Sequence, residues 1–350
     1  MIYATIHADG HSRNSLFAQE DQVHRHNSTF TPRLLREVFL QRGIEVNTED
    51  MNQGRKVAFE LHLEGRPLKA AQRPRYLIAL ENPYINKLNA SSDYCQKFDI
   101  VFAWDKRLFQ LPHVVPILVP HPLVCADFPA LEQRDIFSCL INANKAFKEV
   151  LPSDLYLERI NTIRWYEKQA PDKFNLYGLG WEKSTPAFTL SGKFSRVASR
   201  LQTRLFGIPP FPSFRGELSD KSTVLRRARF SYCYENSRNL SNYITEKIFD
   251  SLVNGCVPIY WGADNVLDHI PSDCFIDRRE FNDTTQVHQF LLSIGVTGFA
   301  QYQHNIRKFL QTDRARKFSS ERFAMQVVEQ VCGHLNGDEP QAAVIPDWEI

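Results

Sequence analysis

No stretch of the 350 residues approaches the roughly 20 consecutive apolar residues that a membrane-spanning helix requires. The opening residues, Met1 to Ser15, lack the basic-then-apolar pattern of a secretory leader. Net charge is only +2, too little to imply a nucleic-acid partner. Neither a Walker loop nor a Gly-x-Gly-x-x-Gly fingerprint occurs, which removes the common ATPase and dehydrogenase signatures. The histidines show no ligand spacing. Seven cysteines, Cys95, Cys125, Cys139, Cys233, Cys256, Cys274 and Cys332, are scattered and odd in number, so buried free thiols in a reducing compartment are expected. Internal repeats and low-complexity segments are absent as well.

What is present is an ordinary globular composition, 43% hydrophobic and 23% charged, in a chain long enough for two domains. Strand-like runs at Ile2–Ile6, Val57–Leu61, Tyr76–Leu80, Phe98–Trp104 and Val114–Val119 form a first series, with a helix from Ser28 or Thr31. A proline-bearing connection, Pro120 to Pro129, precedes a second series. That series has strands at Ile136–Ile141, Phe174–Tyr177, Phe230–Tyr234, Val257–Trp261 and Cys274–Ile276. Helices are expected at Leu155–Lys168, from Thr245, at Thr285–Leu292 and through most of 301–334, followed by a loose tail. Strands alternating with helices imply an α/β protein with parallel sheets.

The chain is organised around residues 229–263. A strand ends on Glu235-Asn236-Ser237, a polar connection follows, and Thr245-Glu246-Lys247 opens a helix that Gly255 stops before a second buried strand. In open α/β sheets ligands bind where such a strand hands over to its helix. This stretch resembles the donor-binding signature of the α-1,3/1,4-fucosyltransferases, glycosyltransferase family 10. The matching pieces are Tyr234-Glu235-Asn236-Ser237, Tyr243-Ile244-Thr245-Glu246-Lys247-Ile248-Phe249-Asp250, and Gly255-Cys256-Val257-Pro258-Ile259-Tyr260-Trp261-Gly262-Ala263. Pro271-Ser272 and Cys274-Phe275-Ile276 extend the match, whose wider reach is roughly residues 75–280.

The resemblance implies two Rossmann-like lobes facing each other, the GT-B glycosyltransferase fold. Residues 1–130 would form the acceptor-side lobe and 131–300 the donor lobe, with C-terminal helices in 301–350 returning to the first lobe ahead of the tail. It implies transfer of L-fucose from GDP-fucose, with inversion, to a hydroxyl of a surface-glycan acceptor of lipopolysaccharide or O-antigen type, giving an α-1,3 or α-1,4 linkage. Transfer of another GDP-linked deoxysugar, or binding of a nucleotide sugar or glycan without catalysis, are the alternatives. The lack of an anchor-like segment resembles the soluble bacterial form, placed in the cytoplasm.

Inverting transfer needs a base for the acceptor hydroxyl and positive charge for the departing diphosphate. Glu81, in Glu81-Asn82-Pro83 at a strand's C-terminal lip, resembles the family's base; Asp99 and Asp105 are its rivals. Lys247 at a helix start, with Glu246, Asn236, Tyr243 and Arg159, matches the family's donor-binding positions, Arg164 being the rival arginine. Arg215 and Lys221 lie where family members carry a loop and a lysine ahead of the donor strand. The Asp-x-Asp motif of metal-dependent sugar transferases is missing, so no obligatory metal or other cofactor is expected. Lys193 to Phe206 places Arg196, Arg200 and Arg204 opposite Phe194, Val197, Leu201 and Leu205, a basic amphipathic pattern. It suits either core packing with a solvated face or contact with an anionic membrane at the inner face of the plasma membrane.

Overall fold

The computed structural model describes residues 1–19, 29–70, 72–125, 127–149, 151–186 and 209–338, with isolated positions Val197, Leu205 and Gly207. The basic stretch 193–206, those isolated positions apart, and the tail beyond residue 338 lie outside the described residues. Among those described, no helix is long and apolar enough to cross a membrane. The chain divides into two compact units. The first comprises Met1–Leu123, Ser241–Thr245 and Asp313–Ile350, and the second Val124–Leu240 and Glu246–Thr312.

The first unit is built on six parallel strands: β1 (Ile2–His7), β2 (Ile44–Thr48), β3 (Val57–Leu63), β4 (Arg75–Ala79), β5 (Ile100–Ala103) and β6 (Val114–Pro116), in the order β2-β1-β3-β4-β5-β6. β2 has no counterpart in the expected series, because Ile-Glu-Val-Asn-Thr is too polar to stand out beside apolar runs. β6 stops at Pro116 rather than reaching Val119, as proline has no N–H to continue a ladder.

One face of this sheet packs on α1 (Phe30–Gln41) and the C-terminal helix Ser320–Leu335. Phe39, Phe59, Tyr76, Phe102, Val327 and Val331 interlock there, each buried. The other face is apolar over β4 and β5, where Leu77, Ala79, Val101 and Ala103 meet Tyr94 and Phe98. Over β1 and β3 that same face turns polar, with Thr5, Glu60 and His62 buried.

The second unit holds five parallel strands: β7 (Ile136–Ile141), β8 (Phe174–Tyr177), β9 (Ala228–Tyr234), β10 (Val257–Trp261) and β11 (Ile276–Asp277), in the order β11-β10-β9-β7-β8. Cys274 sits in a 3-10 turn, Ser272–Cys274, so β11 begins later than its apolar run implies. Helix α2 (Leu155–Gln169) opens on Asp154, whose carboxylate accepts from Tyr156 N. Helix α3 (Glu246–Val253) connects β9 to β10 and buries Ile248, Phe249 and Leu252. Arg134 is buried whole, and its guanidinium donates to the carbonyls of Leu225 at 2.8 Å and Asn254 at 2.9 Å, tying separate loops together. None of the seven cysteines forms a disulfide, and five are buried.

Candidate active site

Two groups of side chains stand at the carboxyl ends of the parallel strands, one in each unit, where open sheets bind ligands. In the second unit, β9 ends at Tyr234 and delivers Glu235, which is wholly buried beside β10. Glu235 Oε2 meets Lys247 Nζ at 3.1 Å, and Glu246 Oε1 lies 3.5 Å from the same ammonium. Burial opposes the charge of Lys247, but the carboxylates of Glu235 and then Glu246 outweigh it and hold its pKa above the ordinary lysine value. Lys247 thus stays cationic at the first turn of α3, where the helix dipole adds further positive potential.

Arg159 comes from α2 and is 2% exposed. Its Nη2 donates to Tyr234 O at 2.7 Å, Glu235 O at 2.8 Å and Asn236 Oδ1 at 3.1 Å, with the guanidinium stacked over Tyr156. Arg159, Asn236, Glu246 and Lys247 are therefore brought together around Glu235. Lys221 joins them indirectly, through a 2.6 Å contact with Asp250 one helical turn beyond Glu246. Arg215 does not join them: it is exposed and donates to Asn175 Oδ1 and Pro212 O. The rival Arg164 is occupied by Glu167 at 2.6 Å and by the Phe211 ring.

Gly262 makes the tight packing at Glu235 possible. A Cβ there would lie 2.4 Å from Glu235 Cγ and 2.5 Å from the Tyr260 hydroxyl. Gly262→Ala is expected to destabilise the protein by about 1–3 kcal/mol through overpacking, read as a lowered thermal midpoint.

In the first unit, β4 ends at Ala79 and Glu81 stands just beyond it. Its Oε1 accepts from the Tyr243 hydroxyl at 2.9 Å, from Asn82 N at 2.9 Å and from Asn82 Nδ2 at 3.2 Å. Tyr243 is itself buried, its ring 4.8 Å from that of Trp104, whose indole N–H donates to Leu80 O at 2.8 Å. Tyr243 is thus placed on Glu81 in the first unit. The rival acids are engaged elsewhere: Asp99 accepts from Arg75 N, and Asp105 caps a turn and pairs with Arg107.

Sequence reasoning passed over Glu235 as a site residue although the Tyr-Glu-Asn-Ser motif contains it. It also passed over Glu64, which follows β3 directly and accepts the N–H of Glu81 at 3.1 Å. Nothing in the local sequence flags Glu64; only the adjacency of β3 and β4 brings it there.

One cluster of metal-ligating residue types also forms, from His7, Glu60 and His62, with candidate ligand atoms within 4.8 Å of one another. The two imidazoles stack at 4.6 Å and 26°, which sets their in-plane lone pairs side by side instead of converging on a point. Burial raises the Glu60 carboxyl, but hydrogen bonds from His62, Arg73 and Arg75 outweigh it and hold its pKa at about 2. A cation would have to displace two guanidiniums, so the cluster reads as an ion-pair network.

Two parallel α/β units with site residues at the strand ends define a glycosyltransferase fold of GT-B type. Residues 196–349 match the profile "Glycosyltransferase family 10 (fucosyltransferase) C-term". It is 36% identical over 67 residues to an alpha-(1,4)-fucosyltransferase of Arabidopsis thaliana, covering 19% of this chain and 16% of that one. Against the alpha-(1,3)-fucosyltransferase FucT of Helicobacter pylori it is 27% identical over 74 residues, 21% of this chain and 15% of the relative. The matched segments thus span about a sixth of those relatives' length. A crystal structure of an alpha1,3-fucosyltransferase superposes with TM-score 0.51 at 12% identity, over 94% of this chain and 89% of that one. Sucrose-phosphate synthase from Thermosynechococcus elongatus gives 0.59 at 10% identity, over 96% and 99%. Identities this low speak to fold alone.

Proposed function

We propose that this chain transfers L-fucose from GDP-fucose to a hydroxyl of an oligosaccharide acceptor of surface-glycan type, with inversion, forming an α-1,3 or α-1,4 linkage. The observation that carries this reading is the Glu235-centred cluster of Asn236, Glu246 and Lys247, inside the stretch that matches the fucosyltransferase profile, joined by Arg159 from α2 ahead of that stretch. Lys247 and Arg159 supply positive charge to a diphosphate, and Glu246, half exposed, is available to sugar or ribose hydroxyls. Lys221, tied to the cluster through Asp250, extends the basic lining towards the nucleotide.

Glu81 takes the proton of the acceptor hydroxyl as that oxygen bonds to C1 of fucose. The C1–O bond to the β-phosphate breaks on the opposite side, and its electron pair leaves with GDP. Tyr243 orients Glu81 through its 2.9 Å hydrogen bond. Since Arg159 and Lys247 are fixed cations, turnover is proposed to need no divalent ion and to persist in EDTA.

The test is calorimetry with GDP, GDP-fucose, GDP-mannose and UDP-sugars, followed by acceptor arrays read by product mass. GDP-fucose is expected to bind in the micromolar range usual for enzyme substrates, with products heavier by one deoxyhexose. Heat with GDP but transfer from a different GDP-linked deoxysugar changes the donor. Binding without GDP release in the presence of any acceptor points to a non-catalytic protein.

A further inference from the structure

Behind the proposed base lies a second carboxylate that the reaction as written does not use. Glu64 follows β3 and is largely buried at the carboxyl end of the sheet. Its Oε1 accepts from Leu80 N at 3.3 Å and from Glu81 N at 3.1 Å, and its Oε2 accepts from Glu81 N at 3.1 Å. Asn89 Nδ2 donates to the same Oε2 and also to Glu81 O at 2.9 Å, while its Oδ1 accepts from Gly65 N at 2.7 Å. A single ring of hydrogen bonds therefore joins residues 64 and 65, 80 and 81, and 89. Among the described residues no cation pairs with Glu64.

Two features show that a carboxylate is wanted at this position rather than merely tolerated. Glu64 has φ +69°, a left-handed conformation that glycine would adopt at lower cost, and the residue after it is a glycine. Gly65 has no room for a side chain, since a Cβ would lie 2.5 Å from Leu88 Cβ. The chain thus bends sharply on an unfavourable residue in order to direct its carboxylate at the turn carrying Glu81. Strained non-glycine backbone of this kind concentrates at functional sites.

We propose that Glu64 is the positioning residue of Glu81: its carboxylate fixes the main chain of residues 80–81, and its charge acts on the Glu81 carboxylate. This rests on the reading of Glu81 as base. The groups around the pair are Tyr243 on Glu81, the Asp105–Arg107 ion pair beside the same depression, and Arg66, which bonds Leu63 O and Asp9. Tyr94 accepts from Arg66 N on the far side. Burial pushes the Glu64 carboxyl up to about 7, the Asn89 and main-chain donors pull against that, and the Glu81 charge adds to the rise. Glu64 therefore gains its charge across neutral pH. The ionised carboxylate is the stronger acceptor for the N–H groups of residues 80 and 81, so the turn that holds Glu81 is fixed best once Glu64 is charged and the rate should step upward through the same range.

The experiment has two arms on the full chain. In the first, carboxyl NMR follows Glu64 in the unaltered protein and in Glu81→Gln. A midpoint near 7 that falls when Glu81 loses its charge supports the coupling, and an unchanged midpoint overturns it. In the second, kcat is measured against pH at saturating GDP-fucose. The unaltered enzyme is expected to show an inflection near 7, and Glu64→Gln to lose it while keeping KM for the donor. A Glu64→Gln profile that retains the inflection overturns the proposal. Should Glu64→Gln fold poorly, Glu64→Gly, which suits the backbone, replaces it: wild-type kcat and profile there also overturn the proposal. Retained turnover in Glu81→Gln would instead remove the base assignment, while the NMR arm still decides the coupling.

Discussion

Glu81→Gln is expected to lower kcat for fucosyl transfer by about 10²- to 10⁴-fold, the contribution of a positioned general base, and to leave GDP affinity intact. Glutamine matches glutamate in size and keeps an oxygen able to accept from Tyr243 and Asn82, so the 2.9 Å contacts can persist. What it lacks is a group that takes up a proton. The fall should appear in kcat and in kcat/KM for the acceptor together, because the lost interaction is made only as the hydroxyl ionises. Product mass gives the rate and calorimetry with GDP gives the affinity. Turnover within tenfold of the unaltered enzyme would remove Glu81 from the reaction. Neither Asp99 nor Asp105 stands ready to replace it, as one accepts from Arg75 N and the other is held by Arg107.

Much of this arrangement was legible in the chain itself, and the illegible part has a physical pattern. β9, α3 and β10 stand out because parallel strands buried on both faces read as continuous apolar runs, and Gly255 at φ +62° marks the end of the helix between them. Glu81 could be placed at a strand lip because Asn82-Pro83 forces the chain out of a regular element. Relations across strands were not legible. Glu64 and Glu81 are seventeen residues apart and meet only because β3 pairs with β4. Tyr243 lies four residues before Lys247, which invites grouping it with the donor residues. Its hydroxyl bonds Glu81, 162 residues earlier in the chain, a contact the sequence does not announce. His7 and His62 likewise have no common spacing in sequence, and the register of β1 on β3 alone sets them face to face. Local pattern encodes elements and caps; the side-chain company that an element keeps depends on strand order, which one sequence does not display.

Lys247→Met should be the most destabilising single change at the Glu235-centred cluster, and it separates the structural role of one ammonium from the donor-binding role proposed for it. Methionine retains the apolar stem but leaves Glu235, wholly buried, without its 3.1 Å partner. Removing one member of a buried pair costs about 3–5 kcal/mol, since the other charge remains out of water. For a domain of this size each kcal/mol moves the thermal midpoint by about 2–4 °C, so a fall of roughly 6–20 °C is expected. Glu246 cannot compensate, being of the same sign as Glu235. The double variant Lys247→Met with Glu235→Gln removes both charges, and most of the lost stability should return. Affinity for GDP-fucose should not return with it. A charge-assisted contact to phosphate contributes about 1.5–3 kcal/mol, so Kd is expected to remain about tenfold to a hundredfold weaker in the double variant. Recovery of both stability and affinity would mean that Lys247 serves only to neutralise Glu235, leaving Arg159 to meet the diphosphate. Recovery of stability alone identifies the ammonium as the group that grips the donor.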